Sequence, residues 1–99
     1  MMPAAKVPET RMIHTADHPQ AVYRKALSTA IAMGTAIQVA NEHSRVFQGT
    51  LHNAVVLTGE VTEEKRGGVI KITATVLPNK LAFGALTEAD DFVRAYNAQ

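Results

Sequence analysis

Apolar and polar positions alternate with a period of two along the second half of the chain. The run from Ala54 to Val61 places Val55, Leu57 and Val61 on one side. The run from Val69 to Leu77 does the same with Ile70, Ile72, Ala74 and Val76, and sets Lys71, Thr73 and Thr75 opposite them. β-branched residues suit a pleated surface with one buried face. The polar segment between the runs ends in Gly67-Gly68, and paired glycines supply the backbone freedom a tight reversal needs. The pattern predicts a long antiparallel hairpin.

Earlier in the chain the period changes to that of a helix. Tyr23, Leu27 and Ile31 recur at i, i+4 and i+8, and Val22, Ala26, Ala30 and Met33 widen the stripe. Asp17 is placed to cap the first turn, with Gln20 in capping-box position, and Pro19 is tolerated where its missing N–H has no partner. Gly34 supplies a C-terminal stop. The prediction is a helix over 18–33 that buries Tyr23, Leu27 and Ile31 against the sheet.

Shorter strands surround it. Residues 36–40 alternate with Ile37 and Val39 inward, 41–44 have turn chemistry, and 45–52 put Phe47, Gly49 and Leu51 on one face. Residues 9–15 alternate weakly, with Met12 and His14 opposite Ile13, and predict a short first strand. Pro78-Asn79 ends the last strand, and residues 80–86 are apolar without one clear period. Thr87 caps a final helix, with Glu88 and Asp90 at its positive end and Phe92, Val93 and Tyr96 as its apolar stripe. The fold class is therefore α+β. An antiparallel sheet of four to five strands carries one main helix on one face and a short C-terminal helix, with residues 1–8 as a flexible arm and 9–99 as a single domain.

Composition narrows the function classes. The chain has 99 residues, one domain's worth, and its 46% hydrophobic content is enough for an independent core. A net charge of +1 gives no field that would gather nucleic acid, and the absence of Trp leaves little for base stacking. There is no Cys, so disulfides, thiolate metal sites and a cysteine nucleophile are excluded. No apolar run reaches the ~20 residues of a transmembrane helix. The first ten residues lack the apolar core of a signal peptide, while the doubled Met1-Met2 fits a leader replaced by a start codon. Both a cytoplasmic and a periplasmic location stay open.

Candidate chemistry is sparse. His14, His18, His43 and His52 show no ligand spacing for a metal, and no cofactor is implied. Glu42-His43-Ser44 has the residue types of a triad, but adjacent residues in a turn do not converge on one point. The run Glu63-Glu64-Lys65-Arg66 fits a solvated hairpin tip. Gly67-Gly68 lacks the Lys-Ser/Thr that follows in a phosphate loop. No catalytic, cofactor-binding or metal residue is assigned, and the balance is against an enzyme.

The order of these elements carries a resemblance. A helix closed by Gly34, the strand Ile37-Gln38-Val39-Ala40-Asn41, a polar turn, the strand Val46-Phe47-Gln48-Gly49-Thr50 and a long Gly-turned hairpin together resemble the small βαβββ domains of uncharacterised bacterial envelope proteins and lipoproteins. The resemblance covers residues 19–77 and implies a scaffolding or binding module with no catalytic residue to carry over. The lipid-anchoring Cys of the lipoproteins is missing.

The expected function is a non-enzymatic binding or assembly module, with a bacterial envelope as its setting. The alternatives are a small-ligand carrier or small enzyme using the space between helix and sheet, and a structural homo-oligomer subunit. The expected partner is another protein or a second copy, through a strand edge or the C-terminal segment. Phe92, Val93 and Tyr96 are the candidate interface, and the competing use of the same residues is to close the chain's own core.

Overall fold

The structure, a computed structural model, describes residues 8–77 and 86–99. Its elements are β1 (Glu9–His14), α1 (Pro19–Ala32), β2 (Ala36–Asn41), β3 (Val46–Leu51), β4 (Val55–Glu64), β5 (Gly67–Val76) and α2 (Glu88–Asn97). The five strands form one antiparallel sheet in the order β1-β5-β4-β3-β2. The fold is α+β, with the main helix and the short C-terminal helix that the sequence pattern predicts. The N-terminal arm apart from Pro8, and the apolar positions Leu81 and Phe83, lie outside the described residues.

The long hairpin is the spine of the sheet. β4 and β5 pair from Val55↔Val76 to Glu64↔Gly67, leaving Lys65-Arg66 as the turn. Gly67 has φ +149°, a backbone conformation that favours glycine. Both glycines also admit a close crossing. A Cβ on Gly67 would meet the backbone of Ala16 at 2.8 Å, and one on Gly68 would meet Pro19 and Val22 at 3.1 Å. The segment between β1 and α1 lies directly over the hairpin, fixed by Thr15 N–H donating to the Gly68 carbonyl and Gly68 N–H to the Asp17 carbonyl, each at 3.0 Å.

Both helices cover the same sheet face. α1 lies over β4 and β5, and α2 lies beside it over β1 and β5. The core between them includes Val22, Tyr23, Ala26, Phe47, Leu57, Ile70, Ile72, Ala89 and Phe92. Four aromatic rings run through it in a chain, Tyr23–Phe47–Phe92–Tyr96, with centroids 6.4, 6.3 and 6.2 Å apart. The Phe47 ring occupies the space beside Gly59, its directly paired neighbour on β4, that a Cβ there would take.

Four expectations need correction, the first being that Thr87 stands at the N-cap of α2 but its hydroxyl donates to the Asp91 carboxylate and makes no capping hydrogen bond to the backbone. Ile31 is 56% exposed, and the buried stripe of α1 is Val22, Tyr23, Ala26, Thr29 and Ala30. Small side chains bring this helix close to the sheet, and Ile31 turns away from it; Leu27 is only partly buried at the edge of the core. Val39 is 50% exposed because the pairing of β2 with β3 slips by one residue between Ile37 and Val39. That bulge ends the simple alternation. The N-cap of α1 is His18, whose Nδ1 accepts from Gln20 N–H at 3.2 Å, rather than Asp17.

Candidate functional site

Phe92 and Tyr96 lie within the core, and Val93 is half-buried against it. Lys25 covers the outer face of Tyr96, its Nζ 4.2 Å from the ring centroid. Burial, and then the charge of Asp17, raise the Tyr96 hydroxyl's pKa above the usual tyrosine range. Within a single copy of the chain these residues hold α2 to the sheet.

The histidines fall on four separate segments. His14 is at the end of β1, His18 caps α1, His43 is in the turn after β2, and His52 follows β3 with φ +57°. Among the described residues there is no group of three or more His, Cys, Asp or Glu side chains placed to hold a metal. In the Glu42-His43-Ser44 turn, the Asn41 side chain accepts from the N–H groups of His43 and Ser44 at 3.0 and 3.1 Å. Glu42 turns instead toward α1, where Arg24 Nε donates to it at 2.7 Å. That hydrogen bond, with help from Gln20 and the Arg24 charge, holds its carboxyl pKa below the ordinary range.

Between the helices and the sheet, Tyr23, Phe47 and Phe92 are fully buried. Open concavities of about 700 and 380 Å³ flank the hairpin tip at Glu63-Glu64-Lys65-Arg66, the smaller one reaching Ala16–Pro19. Their charged side chains are exposed to solvent, two acidic ones followed by two basic ones.

Among the described residues neither helix packs on the other face of the sheet, although Val69 there is buried. One rung across it is Thr10–Thr73–Thr58–Gln48, and the next is Met12–Lys71–Glu60–Val46. Thr10 and Thr73 hydroxyls are 3.4 Å apart, and Gln48 donates to Thr58 at 3.3 Å. These two hydrogen bonds join the first rung, and the second exposes the Met12 side chain beside Lys71 and Glu60.

The two edges of the sheet differ sharply. β1 carries Glu9, Arg11 and His14, and Arg11 joins Glu9 at 3.1 Å and Asp90 of α2 at 2.7 Å. Charges on an edge strand discourage pairing with another chain. β2, at the opposite edge, reads Ala-Ile-Gln-Val-Ala-Asn and has no charge. Every residue in it is exposed except Ile37, which is half-buried. Among the described residues neither helix packs extensively on it, although α1 meets its end through Tyr23 beside Asn41 and through Arg24 on Glu42. Leu27 and Ile31 on the near flank of α1 add partly and largely exposed apolar surface on that side of the molecule.

The sequence pattern marked residues 36–40 as a strand but did not show that it is an edge. The signal was present as an uncharged strand in a chain whose first strand is charged; using it requires the strand order. Compared with known proteins, the sequence matches no family model, and no curated protein is similar enough to count as a relative.

Proposed function

We propose that this protein is a binding or assembly module that works by strand addition, accepting an extended segment along β2. One observation supports this reading above others. β2 is an exposed, uncharged edge strand, whereas β1 is charged and tied to α2. An edge strand presents unpaired N–H and C=O groups, and an extended chain satisfies them while its alternate side chains find pockets on either side. On the helix side Ile37 and the flank of α1 offer apolar contact, and on the open side Val39 does. The resemblance to small domains of bacterial envelope proteins makes the envelope the place to look for such a partner.

The test is to place ¹⁵N-labelled protein in unlabelled extract of its native host and follow the backbone amides. The expected result is shift or broadening centred on residues 36–41. The reading fails if those amides are unchanged, or if the changes centre on the threonine face or the hairpin tip.

A further inference from the structure

We infer that the segment β2 accepts is β2 of a second copy, in one particular antiparallel register; this names the partner within the strand-addition reading and rests on it. Identical strands bring identical charges together, so a charged strand repels its own copy. Residues 36–41 carry none, and the chain's net charge is only +1.

The bulge selects the register. Ile37 and Ala40 pair with Gly49 and Phe47 and so share the helix side of the sheet. Ala36, Val39 and Asn41 pair with Thr50, Gln48 and Val46 and share the open side. Without the bulge, two residues three apart would lie on opposite faces. Directly opposed residues in an antiparallel pair must face the same way. The register with its two-fold axis between Gln38 and Val39 meets this condition. It opposes Ile37 to Ala40 and Ala36 to Asn41 of the other copy, in both directions, and sets Gln38 against Val39. Moving the axis by half a residue opposes Ile37 to Val39, from the wrong face. The pairing is isologous, as closed dimers require, and it would join two five-stranded sheets into one.

A strand of six residues is far short of the roughly 20–30 residues a side of a standard interface. The dimer is therefore weak and reversible, forming at high micromolar concentration.

Sedimentation equilibrium from about 10 µM to 1 mM tests it, and wild-type protein is expected to pass from monomer to dimer across that range. Val39 is half-exposed, so Val39→Lys and Val39→Glu should fold, which circular dichroism checks. Each alone is expected to stay monomeric, and their equimolar mixture to dimerise, because the two positions are diagonal neighbours across the axis. At spacings of ~4.8 Å between strands and ~3.3 Å along them their Cα atoms are about 6 Å apart, within reach of a disulfide. The chain has no native Cys, so Val39→Cys should cross-link to itself on mild oxidation and Met12→Cys on the opposite edge should not. A wild-type monomer at 1 mM overturns the inference, as does a dimer that survives Val39→Lys or cross-links through position 12. If the monomer persists while β2 amides still respond to host extract, self-pairing falls and strand addition stands. If β2 does neither, both fall.

Discussion

Gly59→Ala is the sharpest test of the core, because backbone preference and packing predict opposite signs. Gly59 lies within β4 and its φ is outside the positive region. On backbone grounds alone, alanine there should stabilise the protein by about 0.4–1 kcal/mol through the unfolded chain. The structure puts the Phe47 ring in the way. A Cβ at position 59 would meet Phe47 Cδ2 at 2.9 Å, and Cε2 and Cζ closer still. The ring has little room to retreat, since it is fully buried with Tyr23 on one side and Phe92 on the other. Overpacking of this kind costs about 1–3 kcal/mol, which outweighs the backbone gain. The expected net loss is about 1–2 kcal/mol, read by urea unfolding followed by circular dichroism. For a domain of this size each kcal/mol lowers Tm by about 4–8 °C. Phe47→Leu supplies the control. It is destabilising by itself, but in its background Gly59→Ala should cost less, with a coupling of at least ~0.5 kcal/mol. Gly59→Ala that stabilises, or two substitutions that simply add, would refute the packing argument.

Phe92→Ala is expected to cost about 3–5 kcal/mol in denaturant unfolding, and Phe92→Asp to prevent folding, because the ring is fully buried. A folded Phe92→Asp variant would contradict that placement. The Glu42 carboxyl should titrate below the ordinary glutamate range by NMR and return toward it in Arg24→Ala, whose guanidinium is the main cause of the shift. A depressed folded-state pKa means its contribution is complete above the ordinary range and is lost as pH falls through the lowered value. Tyr23 and Tyr96 should both ionise above the usual tyrosine range in ultraviolet titration, burial being the larger cause for each. Their contribution is complete below that range and is lost as pH rises through the raised values. Two tyrosines ionising normally in folded protein would show that the rings are not buried.

The parts of the fold readable from sequence were those in which one local rule acts alone. The β4–β5 hairpin and β3 show clean alternation, and the pattern names most of their buried side chains; Val69, on the other face, is buried as well, and Val76 is only half-buried. The α1 stripe departs from the pattern at Ile31 because Ala26, Thr29 and Ala30 are small enough to touch the sheet, which the spacing of large apolar residues does not show. Val39 departs from the alternation because the bulge in β2 is set by pairing with β3 and leaves no mark in residues 36–41 themselves. For Phe92, Val93 and Tyr96 the apolar stripe was plain, but its surroundings were not. How much sheet α2 covers depends on β1 pairing with β5, a contact between distant parts of the chain. The candidate site was harder still. An edge is a property of strand order, so β2 could be drawn as a strand from its own residues and recognised as unprotected only beside the charged β1.

The strand order also sets a timetable for synthesis. β5 is the last of the five described strands to be made, yet it lies inside the sheet between β1 and β4. β1 is the first, and its register joins Glu9 to Ala74 and His14 to Val69. While the ribosome is still adding the residues before Gly67, β1 has no neighbour, the crossing at Gly67-Gly68 has nothing to cross, and α1 covers an incomplete surface. Non-local pairing of this kind is slow because the intervening chain must close before the contacts reward it. At ~5–20 residues per second the nascent chain spends seconds with its first strand waiting. During that interval the uncharged β2 is already made, and β1 waits with Glu9, Arg11 and His14 to keep it from foreign strands until its own arrives.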